Sequence, residues 1–114
     1  MTEAVNFVNI DPSPSPDTVG YRMYFEPTGT PVITVREAAA LGNAEHSPYA
    51  SLSNESKQDL SKVPEIANLD GEYDILVTAI DDANRESLSG FSVIAVPFDF
   101  VPPEAPVGVS FSVA

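Results

Sequence analysis

Residues 69–87, LDGEYDILVTAIDDANRES, constrain the fold more than any other stretch of this chain. Tyr73, Ile75, Val77 and Ala79 alternate with Asp74, Leu76, Thr78 and Ile80. A period of two places one parity on a buried face and the other on the opposite face of a strand. Gly71 precedes the alternation and an Asp/Asn/Ser cluster follows it, so both ends carry turn residues. Leu69, Gly71 and Tyr73, with Ile75, Val77 and Ala79, are therefore expected to be structural residues of a sheet core.

At 114 residues the chain has room for one domain. Hydrophobic residues make up 43% of it, enough to bury a core. The absence of Cys excludes disulfides, thiolate catalysis and Cys-based zinc sites. No run approaches the roughly 18 apolar residues of a membrane-spanning helix, so membrane insertion is not expected. The N-terminal MTEAVNFVNI lacks a basic region and a long apolar core. The compartment stays open: cytoplasmic if the chain is complete, extracellular or cell-surface if it is a fragment of a secreted protein. Seventeen acidic residues against five basic ones give a formal charge of −12. That field repels nucleic acid, so no nucleic-acid partner is expected; its plainest reading is solubility.

Other elements are read from the same periodicities. Residues 4–10 form a first strand with Val8 and Ile10 inward, and the proline-rich 11–18 a loop. In residues 20–27, Tyr21, Met23 and Phe25 alternate with Arg22, Tyr24 and Glu26, which makes a second strand. A turn at 28–31 leads to a short β-branched strand at 32–35. Residues 36–61 lose the alternation and read as a partly helical insertion. REAAAL has good helix formers ended by Gly42, and Asn54 is placed to cap a second short helix through Leu60. Residues 62–69 read as an edge strand, because Pro64 removes a ladder donor. Residues 90–100 form the next strand. After Pro102, Pro103 and Pro106, a stiff spacer, Val107, Val109, Phe111 and Val113 alternate with Gly108, Ser110 and Ser112 as a last strand.

Three features point to surfaces. Leu76 and Ile80 occupy the outward parity of residues 73–80, Tyr24 lies on the outer face of its strand, and residues 91–96 are apolar on both parities. The insertion is expected to fold over that outer face with Ala39, Leu41, Tyr49, Leu52 and Leu60; the alternative is an exposed apolar patch that contacts a partner. Tyr24, Leu76, Ile80, Val107, Val109 and Phe111 are thus candidate interaction residues. No catalytic, cofactor or metal site is expected. His46, the one histidine, has no ligand spacing around it, and Asp81, Asp82 and Glu86 sit at the opposite strand end from Asp70, Glu72 and Asp74. Asn54-Glu55-Ser56 fits a glycosylation acceptor, and PSPSP resembles a polyproline ligand only loosely.

With GYRMYF as third strand, LDGEYDILVTAIDDANRES as sixth strand and turn, and DPSPSPD before the third strand, the chain resembles a fibronectin type III domain, particularly of bacterial type. The resemblance implies an all-β fold, an immunoglobulin-like/fibronectin type III β-sandwich with a partly helical insertion at about 36–61. It implies a Tyr73 hydroxyl that reaches back to upstream backbone, the tyrosine corner. It also implies a non-catalytic protein-interaction or spacer module of a larger bacterial surface or secreted assembly, or a carbohydrate-associated accessory domain of an enzyme. Three departures stand out. The chain has no Trp, and Ile10 stands where the second strand of the family carries one. The turn after the sixth strand lacks its usual glycine. The first strand matches the family's second, while the C-terminal PPEAPVGVSFSVA resembles a linker and first strand. Residues 1–100 then hold the second to seventh strands. Residues 101–114 complete the domain from the C-terminus, swap into a homodimer or larger self-assembly by strand exchange, or begin a next domain.

Overall fold

A computed structural model describes residues 3–42, 45–100 and 104–113. Strands dominate it: β1 (Phe7–Asn9), β2 (Thr18–Pro27), β3 (Tyr49–Ser53), β4 (Lys57–Asp59), β5 (Asp70–Asp81) and β6 (Phe91–Asp99), with one short helix α1 (Val35–Ala40) and a 3₁₀ turn at Leu60–Lys62. They form two antiparallel sheets, one of two strands in the order β1-β4 and one of four in the order β3-β2-β5-β6. No helix among the described residues is long and apolar enough to cross a membrane.

The inward parities predicted for β2 and β5 meet in one apolar cluster. Tyr21, Met23 and Phe25 from β2, Ile75 from β5, Ala50 and Leu52 from β3, and Phe98 from β6 are buried together with Leu60 and Ile66. Val8 and Ile10 pack against it from the small sheet, as do Leu69, Tyr73, Val77 and Ala79. Each large side chain so buried contributes about 1.5–3 kcal/mol, which identifies this cluster as the main source of stability. The register pairs Met23 with Val77 and Phe25 with Ile75, so matched apolar residues oppose each other across the central strands.

Several expected elements differ. Residues 32–34 are not a strand; Thr34 instead caps α1, its hydroxyl accepting a hydrogen bond from the Glu37 amide at 3.0 Å. The helix in REAAAL is present, but no helix follows Asn54. Residues 49–53 and 57–59 are strands within the stretch expected to be a loop, and the turn at Leu60–Lys62 is capped by Asp59 rather than Asn54. Residues 64–68 are turns, not an edge strand. The missing glycine after β5 is replaced by Asn84, which takes up the left-handed conformation at φ 61°. Its turn is tied by the Asp81 carboxylate, which accepts from the amides of Ala83 and Arg85 and from Arg85 Nε.

Tyr73 departs from a tyrosine corner. Its hydroxyl makes no hydrogen bond among the described residues; its ring packs edge-on against Phe25 and Phe98, with centroids 6.2 and 5.8 Å away. The tyrosine that does bind upstream backbone is Tyr21, whose hydroxyl accepts from the Ser13 amide at 3.0 Å and pins the proline-rich loop.

Candidate docking groove

β6 holds the key to the geometry. Tyr73 pairs with Val96 but Ile75 pairs with Val93, so β6 carries one residue more than β5 between these points. The extra residue is accommodated at Ala95, with φ 54°, a β-bulge. The Asp74 carboxylate holds the bulge by accepting from the Ala95 amide at 3.0 Å, and accepts from Thr28 Oγ1 and the Gly29 amide across the neighbouring turn. A bulge switches side-chain parity. Phe91 and Val93 before it and Val96 and Phe98 after it consequently line the same cavity. The apolar residues on both parities of 91–96 are explained by this switch, and they do not make the outer face apolar; only Ile94 points away, 76% exposed.

The cavity has a volume of about 310 Å³ and lies between β6 and β1. Val5, Val8 and Ile10 form its wall on the small sheet, Met23, Leu60, Ile75 and Val77 its floor. Phe91 is 75%, Phe7 48% and Val93 45% exposed at its rim. Among the described residues both flanking strands end their sheets: β6 pairs only with β5, and β1 only with β4. Asn6 and Ile10 bond to the β4 side, through Leu60 N–H to Asn6 O and Ile10 N–H to Ser56 O. By antiparallel alternation the backbone groups of Phe7 and Asn9 face the other way, toward the groove edge. The two sheets are tied at one end by Val5 N–H donating to Pro97 O at 2.9 Å. An apolar floor flanked by two unpaired strand edges is a site that can take in an extended peptide chain.

The opposite face of the large sheet is closed. Tyr24, expected on a surface, is completely buried. Its hydroxyl donates to Glu86 Oε2 at 2.6 Å and accepts from the Val35 amide at 3.0 Å, so α1 and the segment after β5 meet over it. Thr78 Oγ1 donates to the same carboxylate oxygen at 2.6 Å, and Arg22 Nη1 lies 3.6 Å from it. Glu86 Oε1 is buried without a hydrogen-bond partner. Burial, and then the hydrogen bond to Glu86, push the Tyr24 phenol up to about 12. Tyr49 packs on Tyr24 with centroids 5.2 Å apart, and the Arg22 guanidinium lies 4.9 Å over the Tyr49 ring. The insertion therefore covers this face, but with Ala38 and Tyr49. Leu41 is 75% exposed and Ala39 exposed, while Leu52 and Leu60 enter the interior cluster instead. Leu76 and Ile80 are half-buried: Leu76 lies against Gly90, and Ile80 bridges to Glu86. They form no open apolar patch.

The acidic residues near β5 act within the fold, Asp81 and Asp74 as turn and bulge anchors and Glu86 as the buried acceptor. No group of three metal-ligating side chains occurs among the described residues. His46 is exposed, its Nδ1 2.9 Å from the Ser47 carbonyl. Val107, Val109, Phe111 and Val113 are 110, 74, 94 and 100% exposed. Residues 104–113 form no strand and no hydrogen bond among the described residues. The structure thus brings none of these C-terminal residues to the groove or to Tyr24, Leu76 and Ile80. The groove itself was missed in the sequence, although its signal was present in the doubled apolar parity of residues 91–96. Compared with protein-family models, curated proteins and solved structures, the chain matches none.

Proposed function

We propose that the chain is a non-catalytic interaction module that takes an extended strand into the groove between β1 and β6. The observation that carries this reading is the pairing of an apolar floor with two unpaired strand edges. In the arrangement implied by the resemblance to fibronectin type III domains, the two sheets are the halves of a sandwich. Among the described residues no strand holds the place of that family's first, which would run beside β1. The lining supports binding by shape and backbone pairing: it is almost wholly hydrocarbon, with Asn9 and Asp11 its polar members. Ile10 deepens the groove, since it stands where the resembled family carries a larger aromatic. Strand addition draws affinity from main-chain hydrogen bonds and specificity from alternate side chains set into the floor.

The occupant that fits has apolar residues on one parity, small or polar residues on the other, and no charge on the inserted face. A peptide with the sequence of residues 104–113 serves as the probe. It is titrated calorimetrically into the full chain carrying Val109→Asp and Phe111→Asp, whose own C-terminal segment cannot compete. Saturable 1:1 binding with backbone amide shifts at Phe7, Asn9 and Val93 is the expected result. Absence of binding at millimolar peptide would overturn the reading.

A further inference from the structure

The groove has a candidate donor in this same chain. We infer that residues 107–113 of a second copy fill the groove, so that copies join by strand donation. This rests on the strand-acceptor reading above and names the occupant. Four observations converge on that segment. Its parity matches: Val107, Val109, Phe111 and Val113 share one side, with Gly108, Ser110 and Ser112 on the other, the pattern of a strand with one face buried. Its length matches: seven residues at about 3.3 Å each span about 23 Å, within the reach of the nine-residue β6. Its charge matches: residues 105–113 carry none, in a chain of net charge −12, so insertion places no carboxylate on hydrocarbon. Its exposure asks for it: four large apolar side chains stand in solvent, and an apolar strand so placed pairs with whatever edge it meets.

The spacer favours a second copy over the segment's own groove. Pro102 and Pro103 are consecutive and Pro106 follows within four residues. Proline fixes φ near −65° and disfavours helical turning of the residue before it, so Ala105 and Pro106 favour an extended approach to the segment. A return to the groove of the same molecule needs a reversal directly after β6, whose Pro97 already lies at the tied end of the groove. The described residues 104–113 instead stand exposed and form no hydrogen bond with β1 or β6. A contact between a groove on one copy and a strand on the next is heterologous, and generates rings or open chains of subunits unless two copies exchange strands reciprocally.

Sedimentation or light scattering of the full chain over a hundredfold concentration range, read beside hydrogen exchange at residues 107–113, tests the inference. The expected result is a monomer at low concentration with these amides unprotected, giving way to dimers or a ladder in which they are protected at least tenfold. The variant with Val109→Asp and Phe111→Asp stays monomeric throughout while its amides in β2 and β5 keep their protection, which shows that it is folded. Mixing it with wild-type chain caps the ladder, because the variant still accepts a strand but cannot donate one. Two outcomes overturn the inference. A monomer at every concentration with residues 107–113 protected places the strand in its own groove. A monomer with those residues unprotected, while the free peptide still binds the double variant, leaves the acceptor reading intact and removes the second copy as donor.

Discussion

At the scale of single residues, Tyr24 shows what parity does and does not reveal. Alternation places it on the outer face of β2, and on that face it lies; the covering by α1, Tyr49 and Glu86 depends on contacts distant in sequence, 62 residues in the case of Glu86. Its hydroxyl joins three segments of the chain, so Tyr24→Phe should lower stability by about 1.5–3 kcal/mol in urea denaturation, the range for hydrogen bonds to charged partners. The same burial gives an alkaline signature. Burial holds the folded phenol at about 12 against its ordinary value of 10.0, so the neutral form is favoured by the folded state. The stability this contributes is complete below pH 10 and is lost as pH rises toward 12. Unfolding free energies measured across pH 9–12 should fall more steeply for the wild type than for Tyr24→Phe. The core residues of the same strand, Tyr21, Met23 and Phe25, needed no such knowledge, because their burial follows from alternation alone.

At the scale of elements, the long strands were legible and the short ones were not. β2 and β5 carry unbroken apolar alternation, and β6 is apolar along most of its length. β4 is Lys57-Gln58-Asp59, a strand with no apolar residue, which forms because β1 lies beside it. Residues 64–68 carry Ile66, fully buried, but reach the interior from a turn rather than a ladder. The bulge in β6 was concealed for a related reason: a parity switch in one strand reads as apolarity on two faces until its partner shows the slipped register. Asp74 holds that bulge, and bonds from the Ala95 and Gly29 amides and from Thr28 keep its carboxyl below the usual carboxylate range. A depressed carboxyl stabilises the fold above its unfolded pKa, and that stability is lost as pH falls through the folded value. Asp74→Ala should accordingly lower the thermal midpoint at pH 7, speed exchange at the Ala95 amide, and converge with wild type as the pH falls below the ordinary carboxylate range. Convergence at pH 7 would show that the carboxylate does not hold the bulge.

At the scale of the whole molecule, charge and shape pull in opposite directions. A formal charge of −12 on 114 residues opposes both compaction and the approach of copies. Raising sodium chloride from 20 to 500 mM shortens the Debye length from about 20 Å to about 4 Å, which removes most of that repulsion. The thermal midpoint should therefore rise with salt, by differential scanning calorimetry; a fall would mean that local ion pairs such as Arg85–Asp81 outweigh the net field. The composition made this acidity plain, and the C-terminal alternation was equally plain. What no stretch of sequence could show was that a strand-sized opening had been left between β1 and β6, since the opening is bounded by residues 5–11 and 91–98 and belongs to neither alone.

That opening has a consequence in time. Every residue that lines it, from Val5 to Phe98, precedes residues 107–113 in the chain. Under the proposed strand donation, the residues of the acceptor groove are therefore synthesised before the segment that would fill it.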